Sequence, residues 1–182
     1  LTALAEDRYA DALTLAGAYP DDPDHDHLAA QVYLSDDGAF HDAEKGLALQ
    51  RAAAEAGQMR AAYFLASYLL THDPDETQQQ DALRYLTEAA ECGMPDANWA
   101  MGDLYFGGKI VPQEMEKARE YYEVAAWTGI AEAQYRLALT IAAIALLEDE
   151  KYKGESIEEL EYEAMVWLYI AKENGMPNIS EF

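Results

Sequence analysis

The sequence predicts an all-α protein, an α-solenoid of about four stacked helical hairpins behind a leading helix. Three observations carry this. Gly57, Gly93 and Gly129 recur every 36 residues and Gly175 follows after 46, each closing a small-residue run (AAAEAG, TEAAECG, EVAAWTG, YIAKENG). A glycine in that place ends a helix, because it alone accepts the left-handed backbone turn without a Cβ clash. Equivalent alanines open first helices at Ala61, Ala97 and Ala133. Others sit in second helices at Ala82, Ala118 and Ala164, with Gly46 at that place in the first unit. The composition, 51% hydrophobic and rich in alanine and tyrosine rather than in Val, Ile and Thr runs, suits helices. One hairpin of this size cannot bury its apolar faces, so a fixed period of this length means stacking.

The chain divides accordingly into a leading or capping helix over 1–19, repeats over 24–57, 58–93, 94–129 and 130–175, and a tail over 176–182, all within a single repeat domain. In the leading segment Leu4, Arg8 or Tyr9, Ala12 and Leu15 form the apolar side. PDDPDHDH, 20–27, reads as an acidic turn before a first helix through HLAAQVYL. The second helix of that unit runs through EKGLALQRAAAEA. The second unit has RAAYFLASYLL and QQDALRYLTEAAE.

The third unit is the most regular. Ala97, Met101, Leu104 and Tyr105 share one face of its first helix, and Met115, Ala118, Tyr122 and Ala125 one face of its second. Gly107 and Gly108 mark the turn between them, and Pro112 suits the entry to the second helix. In the fourth unit AEAQYRLALTIAAIALLEDE, 131–150, runs without a breaker and predicts a prolonged first helix. Its apolar stretch, Leu137 to Leu147, is shorter than the roughly 20 residues a membrane span needs. KYKGES then forms a loop, and Ser156 with Glu159 spells a capping box for the returning helix. A terminal overhang of this kind covers the end of the stack, or packs on a partner or on a second copy of the chain.

The third unit, A97-x-x-x-M-G-x-x-Y-x-x-G108, then I-V-P, then E-K-A-x-x-Y-Y-x-x-A-A-x-x-G129, closely resembles the Sel-1-like repeat, a tetratricopeptide-like repeat of about 36 residues. The resemblance extends over roughly residues 24 to 177. It implies a right-handed α-solenoid in which the first helices line a concave face. The other units depart from the pattern: the second carries Thr71, His72, Asp73 and Pro74 in place of the turn glycines, the fourth has an insertion, and the first has His25 at an alanine position.

Twelve basic residues against 35 acidic ones give a net charge of −23. Such a surface repels phosphates and anionic lipid heads, which argues against nucleic acid and against membrane insertion or adhesion. It favours a protein partner with a basic surface or segment. The composition suits a soluble chain, with the cytoplasm favoured; as the chain begins at Leu1 without a methionine, a periplasmic or secreted setting stays open.

The single Cys92 forms no intramolecular disulfide and reads as a small packing residue. His41 and His72 read as surface loop residues. The alternating Asp22, Asp24 and Asp26 lack the glycine and glutamate of a calcium loop, and His25 with His27 lacks further zinc ligands, so helix capping explains the acids and no metal or cofactor is expected. No phosphate loop, nucleophile elbow or zinc signature points to an enzyme.

The face opposite each first helix's apolar stripe carries Asp96, Trp99 and Asp103 in the third unit. Equivalent places are Asp24, His27 and Gln31, then Arg60, Tyr63 and Ser67, then Glu132, Tyr135 and Leu139. The column His27, Tyr63, Trp99, Tyr135 either holds the hairpins together or forms an aromatic groove with acidic flanks for a basic segment. The expected contact set is Gln31, Tyr63, Ser67, Asp96, Trp99, Asp103, Tyr135 and Leu139. The reading is a non-enzymatic scaffold or adaptor. An acidic inhibitor or immunity protein neutralising a basic toxin or enzyme is the alternative, which would abolish an activity on near-equimolar mixing. An enzyme of unknown class comes third.

Overall fold

The computed structural model describes residues 2–19, 22–35, 40–72, 74–147 and 156–177, the side chains of 2–7 and 16 excepted. Among them are nine α-helices and no strand: α1 (Thr2–Ala18), α2 (Pro23–Leu34), α3 (Ala43–Glu55), α4 (Met59–Thr71), α5 (Glu76–Glu91), α6 (Pro95–Gly107), α7 (Met115–Ala126), α8 (Ala131–Leu146) and α9 (Ile157–Glu173). The fold is all-α, of the helical-hairpin solenoid class. Two compact units divide at the second stop glycine, Leu1–Cys92 and Gly93–Phe182.

In the first unit each helix packs on the next, from α1 to α5. The interfaces are alanine-rich: Ala29, Ala30, Ala53, Ala61, Ala66 and Ala82 are buried, with Leu65, Tyr85 and Leu86 filling the space they leave. Small side chains let helix axes approach closely, and the few large ones then fix the crossing. The acidic stretch expected as a turn is largely helical. Asp22 caps α2 by accepting from the Asp24 N–H at 3.0 Å, and Pro23 takes the first helical position, where its missing N–H costs nothing. Leu15, expected on the apolar side of α1, is exposed. Helix α5 begins earlier than its apolar pattern, at Glu76, because Asp75 and Gln78 form a reciprocal capping box. Cys92 is exposed rather than packed, since it is the C-cap of α5 beside Gly93.

In the second unit α6, α7, α8 and α9 again pack in sequence. Tyr122, Leu137, Ile141, Ile144, Leu160 and Trp167 centre its core, with the predicted alanines Ala118, Ala125, Ala133 and Ala164 buried among them. The stop glycines take the left-handed conformation, with φ of 91, 78, 89 and 96° at Gly57, Gly93, Gly129 and Gly175. Of the turn glycines, Gly108 has φ 64° and caps α6, whereas Gly107 remains helical. Pro112 lies short of α7, which starts at Met115: the Glu114 N–H donates back to the Tyr105 carbonyl at 3.0 Å and keeps the chain extended until then. Helix α8 ends at Leu146. The predicted continuation over 148–150, the loop KYKGES except Ser156, and the tail beyond residue 177 lie outside the described residues. The Ser156–Glu159 capping box is formed. No helix among the described residues is long and apolar enough to cross a membrane.

Candidate functional site

The first-helix face of the first unit is organised by a buried amide. Gln50, on α3, is fully buried, and its Nε2 donates both to the Ala61 carbonyl at 3.1 Å and to His27 Nδ1 at 2.8 Å. The Gln50 bond therefore leaves the His27 proton on Nε2, and the Gln31 amide at 3.1 Å accepts it with its oxygen turned to the ring. Phe64 meets the same ring edge-on at 6.3 Å. The Asp24 carboxylate accepts from Gln58 Nε2 at 3.0 Å, and Gln58 in turn caps α4.

Asp24, His27, Gln31 and Gln58 line an open cavity of about 740 Å³ with Leu28, Met59 and Arg60. A second of about 460 Å³, between α1 and α2, shares Leu28 and Gln31 and adds Arg8 and Tyr9. Asp24, His27, Gln31 and Arg60 are thus brought together as the register requires. Tyr63 and Ser67, one and two turns further along α4, are half-buried and do not line either cavity.

Burial lowers the His27 pKa below its ordinary 6.5; Arg60 adds to the effect, while Asp24 opposes it. The unfolded chain then binds the proton more readily than the folded one just below that value. Stability contributed by neutral His27 is complete above the unfolded pKa and falls as pH drops through it towards the folded pKa. Urea unfolding of the parent and of His27→Gln across pH 5 to 7.5 checks this. The difference between them should shrink on acidification, and a constant difference would mean that His27 titrates alike in both states.

In the second unit the predicted residues divide. Asp96 is exposed in the first turn of α6. Trp99 is half-buried and packs against the core of its unit, its indole Nε1 buried without a hydrogen-bond partner. Asp103 is half-buried and accepts from the Tyr122 hydroxyl at 2.5 Å, with Arg136 Nε at 4.0 Å and Glu132 beyond it at 3.3 Å from the same nitrogen. Burial first, then the Asp103 carboxylate, pushes the Tyr122 hydroxyl pKa far up, so it stays a donor. Tyr135 and Leu139 are half-buried on α8. On α6, then, one acid stands free of the core and one is tied to it.

Gln50 escaped the sequence pattern. The signal was there: at the places 36 and 72 residues on stand Leu86 and Tyr122, both buried, so a polar residue in that register marks a core position with a polar task.

Four segments of the chain, 27–58, 60–94, 95–126 and 131–176, match the Sel1 repeat. No curated protein matches the chain. Among solved structures it is similar to a Sel1 repeat protein from Oxalobacter formigenes, with TM-score 0.73 and 26% identity over 94% of this chain and 47% of that one. It is also similar in fold to a protective antigen present in uropathogenic Escherichia coli strains and displaying an SLR fold, with TM-score 0.61 and 18% identity over 85% of this chain and 37% of that one. The chain therefore spans less than half the length of either structure.

Proposed function

Because the chain belongs to the Sel1 repeat family, whose repeats generally mediate protein–protein interaction, we propose that it is a non-enzymatic protein-binding module that receives a partner on its first-helix faces. The observation that carries this reading is the first-unit cavity. It is open, it is lined by Asp24, His27, Gln31 and Arg60, of which His27 is held by the buried Gln50 amide and Asp24 by Gln58, and it lies on the helices the family makes concave. Preorganised polar groups bind without a further ordering cost. Asp24 in the first unit and Asp96 in the second are exposed acids on first helices, and the net charge of −23 favours a partner with basic groups to meet them.

The test is capture from the lysate of the source organism by the parent chain and by Asp24→Lys/Asp96→Lys. These two sites are chosen because Trp99 and Asp103 are engaged in the core and would confound binding with folding. Proteins enriched on the parent, lost on the variant at an unchanged helical circular-dichroism spectrum, and released by salt support the reading. An identical set retained by both chains refutes it.

A further inference from the structure

One nitrogen ties the first two hairpins together. Gln50 Nε2 gives one proton to His27 Nδ1 on α2, at 2.8 Å, and the other to the Ala61 carbonyl on α4, at 3.1 Å. The carbonyl can only accept, so it fixes which end of the Gln50 amide is nitrogen. That nitrogen in turn makes His27 Nδ1 an acceptor. Gln50 is fully buried, and its Oε1 has no hydrogen-bond partner. A buried acceptor left unpaired is costly, and here it sits on the very side chain that joins the helices.

The pairing is special to the first repeat. At the places 36 and 72 residues on, His27 and Gln50 give way to Tyr63 with Leu86 and to Trp99 with Tyr122. None of those side chains titrates near neutral pH.

A proton added to His27 disturbs one side of the ring. Nε2 already carries its proton and keeps Gln31 as acceptor. Nδ1 becomes a donor, and two donors then face each other across 2.8 Å. The Gln50 amide can answer by turning over, which brings its idle Oε1 to the new proton. The same turn sets that oxygen against the Ala61 oxygen and removes the bond to α4, because one atom served both partners. The charged ring and the Ala61 carbonyl thus compete for opposite ends of one amide. The charges acting on the ring are Asp24 of its own helix, which favours the proton, and Arg60 of α4, which opposes it; among the described residues α1 and α3 add none.

We infer that His27 and Gln50 form an acid-operated latch between the first two hairpins: a proton on Nδ1 turns the Gln50 amide and releases it from the Ala61 carbonyl of α4. Gln58, Met59 and Arg60, just ahead of that carbonyl, line the cavity that His27 lines from α2. Its two walls are tied through Gln50 while the ring is neutral and untied when it is charged. The latch belongs to the hairpins and does not rest on a partner binding at the first-helix faces.

Nuclear magnetic resonance of the whole chain between pH 7.5 and 5 tests it. The signals followed are the His27 ring, the Gln50 side-chain NH2 and the backbone amide of Ala62, whose nitrogen is bonded to the Ala61 carbonyl carbon. The chains are the parent, His27→Tyr and Gln50→Leu, which borrow the residues standing at 63 and 86 in the second repeat. In the parent the Gln50 and Ala62 signals should shift together at the His27 midpoint. In His27→Tyr they should hold still. In Gln50→Leu the His27 midpoint should move up, since the bond that favours the neutral ring is gone and the burial remains. A ring that titrates while the Gln50 and Ala62 signals hold still would mean that the amide does not turn, and would overturn the proposal. So would a ring that stays neutral down to pH 5, the same shifts in His27→Tyr, or an unmoved or lowered midpoint in Gln50→Leu. The parent and His27→Tyr decide the matter even where Gln50→Leu fails to fold.

Discussion

Tyr122→Ala is expected to cost the protein about 3–5 kcal/mol, the range for deleting a large ring from a core that relaxes only in part. The side chain is fully buried, and its ring lies so close to Gly102 that a Cβ there would stand 2.6 Å from Cδ1 and Cε1. The contact runs on to the hydroxyl, which donates to Asp103 on the next residue of α6. Glycine at 102 and tyrosine at 122 are thus two halves of one fit between the helices of a hairpin. Gly102→Ala should cost about 1–3 kcal/mol by overpacking, and Tyr122→Phe about 1 kcal/mol, because half-exposed Asp103 can turn to water when the hydroxyl goes. The double variant Gly102→Ala/Tyr122→Ala should be less destabilised than the sum, as the added methyl then enters vacated space. Denaturant midpoints for the four chains measure this; strict additivity would mean that the two residues do not touch.

Gly46→Ala carries the second large effect, a net loss of about 1–2 kcal/mol. Alanine at an ordinary helix position gains about 1 kcal/mol over glycine, and Ala82, Ala118 and Ala164 occupy this place in the other repeats. At Gly46 a Cβ would meet Leu34 Cγ at 2.6 Å and the Ala30 carbonyl oxygen at 3.2 Å. Leu34 is flexible enough to turn aside, but the Ala30 oxygen belongs to the backbone of α2 and cannot move without it. Thermal unfolding of Gly46→Ala, with Leu34→Ala added in a second chain, separates the two: partial recovery is expected, with the backbone share remaining. A stabilised Gly46→Ala would show that α2 and α3 lie further apart than described.

The repeats, the hairpins and most helix limits were legible because they rest on local chemistry. A stop glycine, a capping aspartate or an alanine face acts within a turn or two of the chain. The misses are local as well: Pro23 and Asp22 start α2 inside what reads as a turn, and Pro112 sits three residues ahead of the helix it suggests. The candidate site was legible by position only. Asp96 and Asp103 hold like places on one helix, and the hydroxyl of Tyr122, with Arg136 beside it, separates them, leaving one acid exposed and tying the other to the core. Nothing near Asp103 in the sequence announces that bond.

The sequence by itself determined the all-α class, the four repeats and most of the helices, since periodicity and backbone sterics are written residue by residue. Only the tertiary structure decided which side chains are free to meet a partner. Gln50 pins His27 from the second helix of its hairpin, and Trp99 packs into the core of its unit. Burial and hydrogen bonding are set by neighbours that folding brings from tens of residues away, and the same residue type in the same register is core or surface according to what stands opposite.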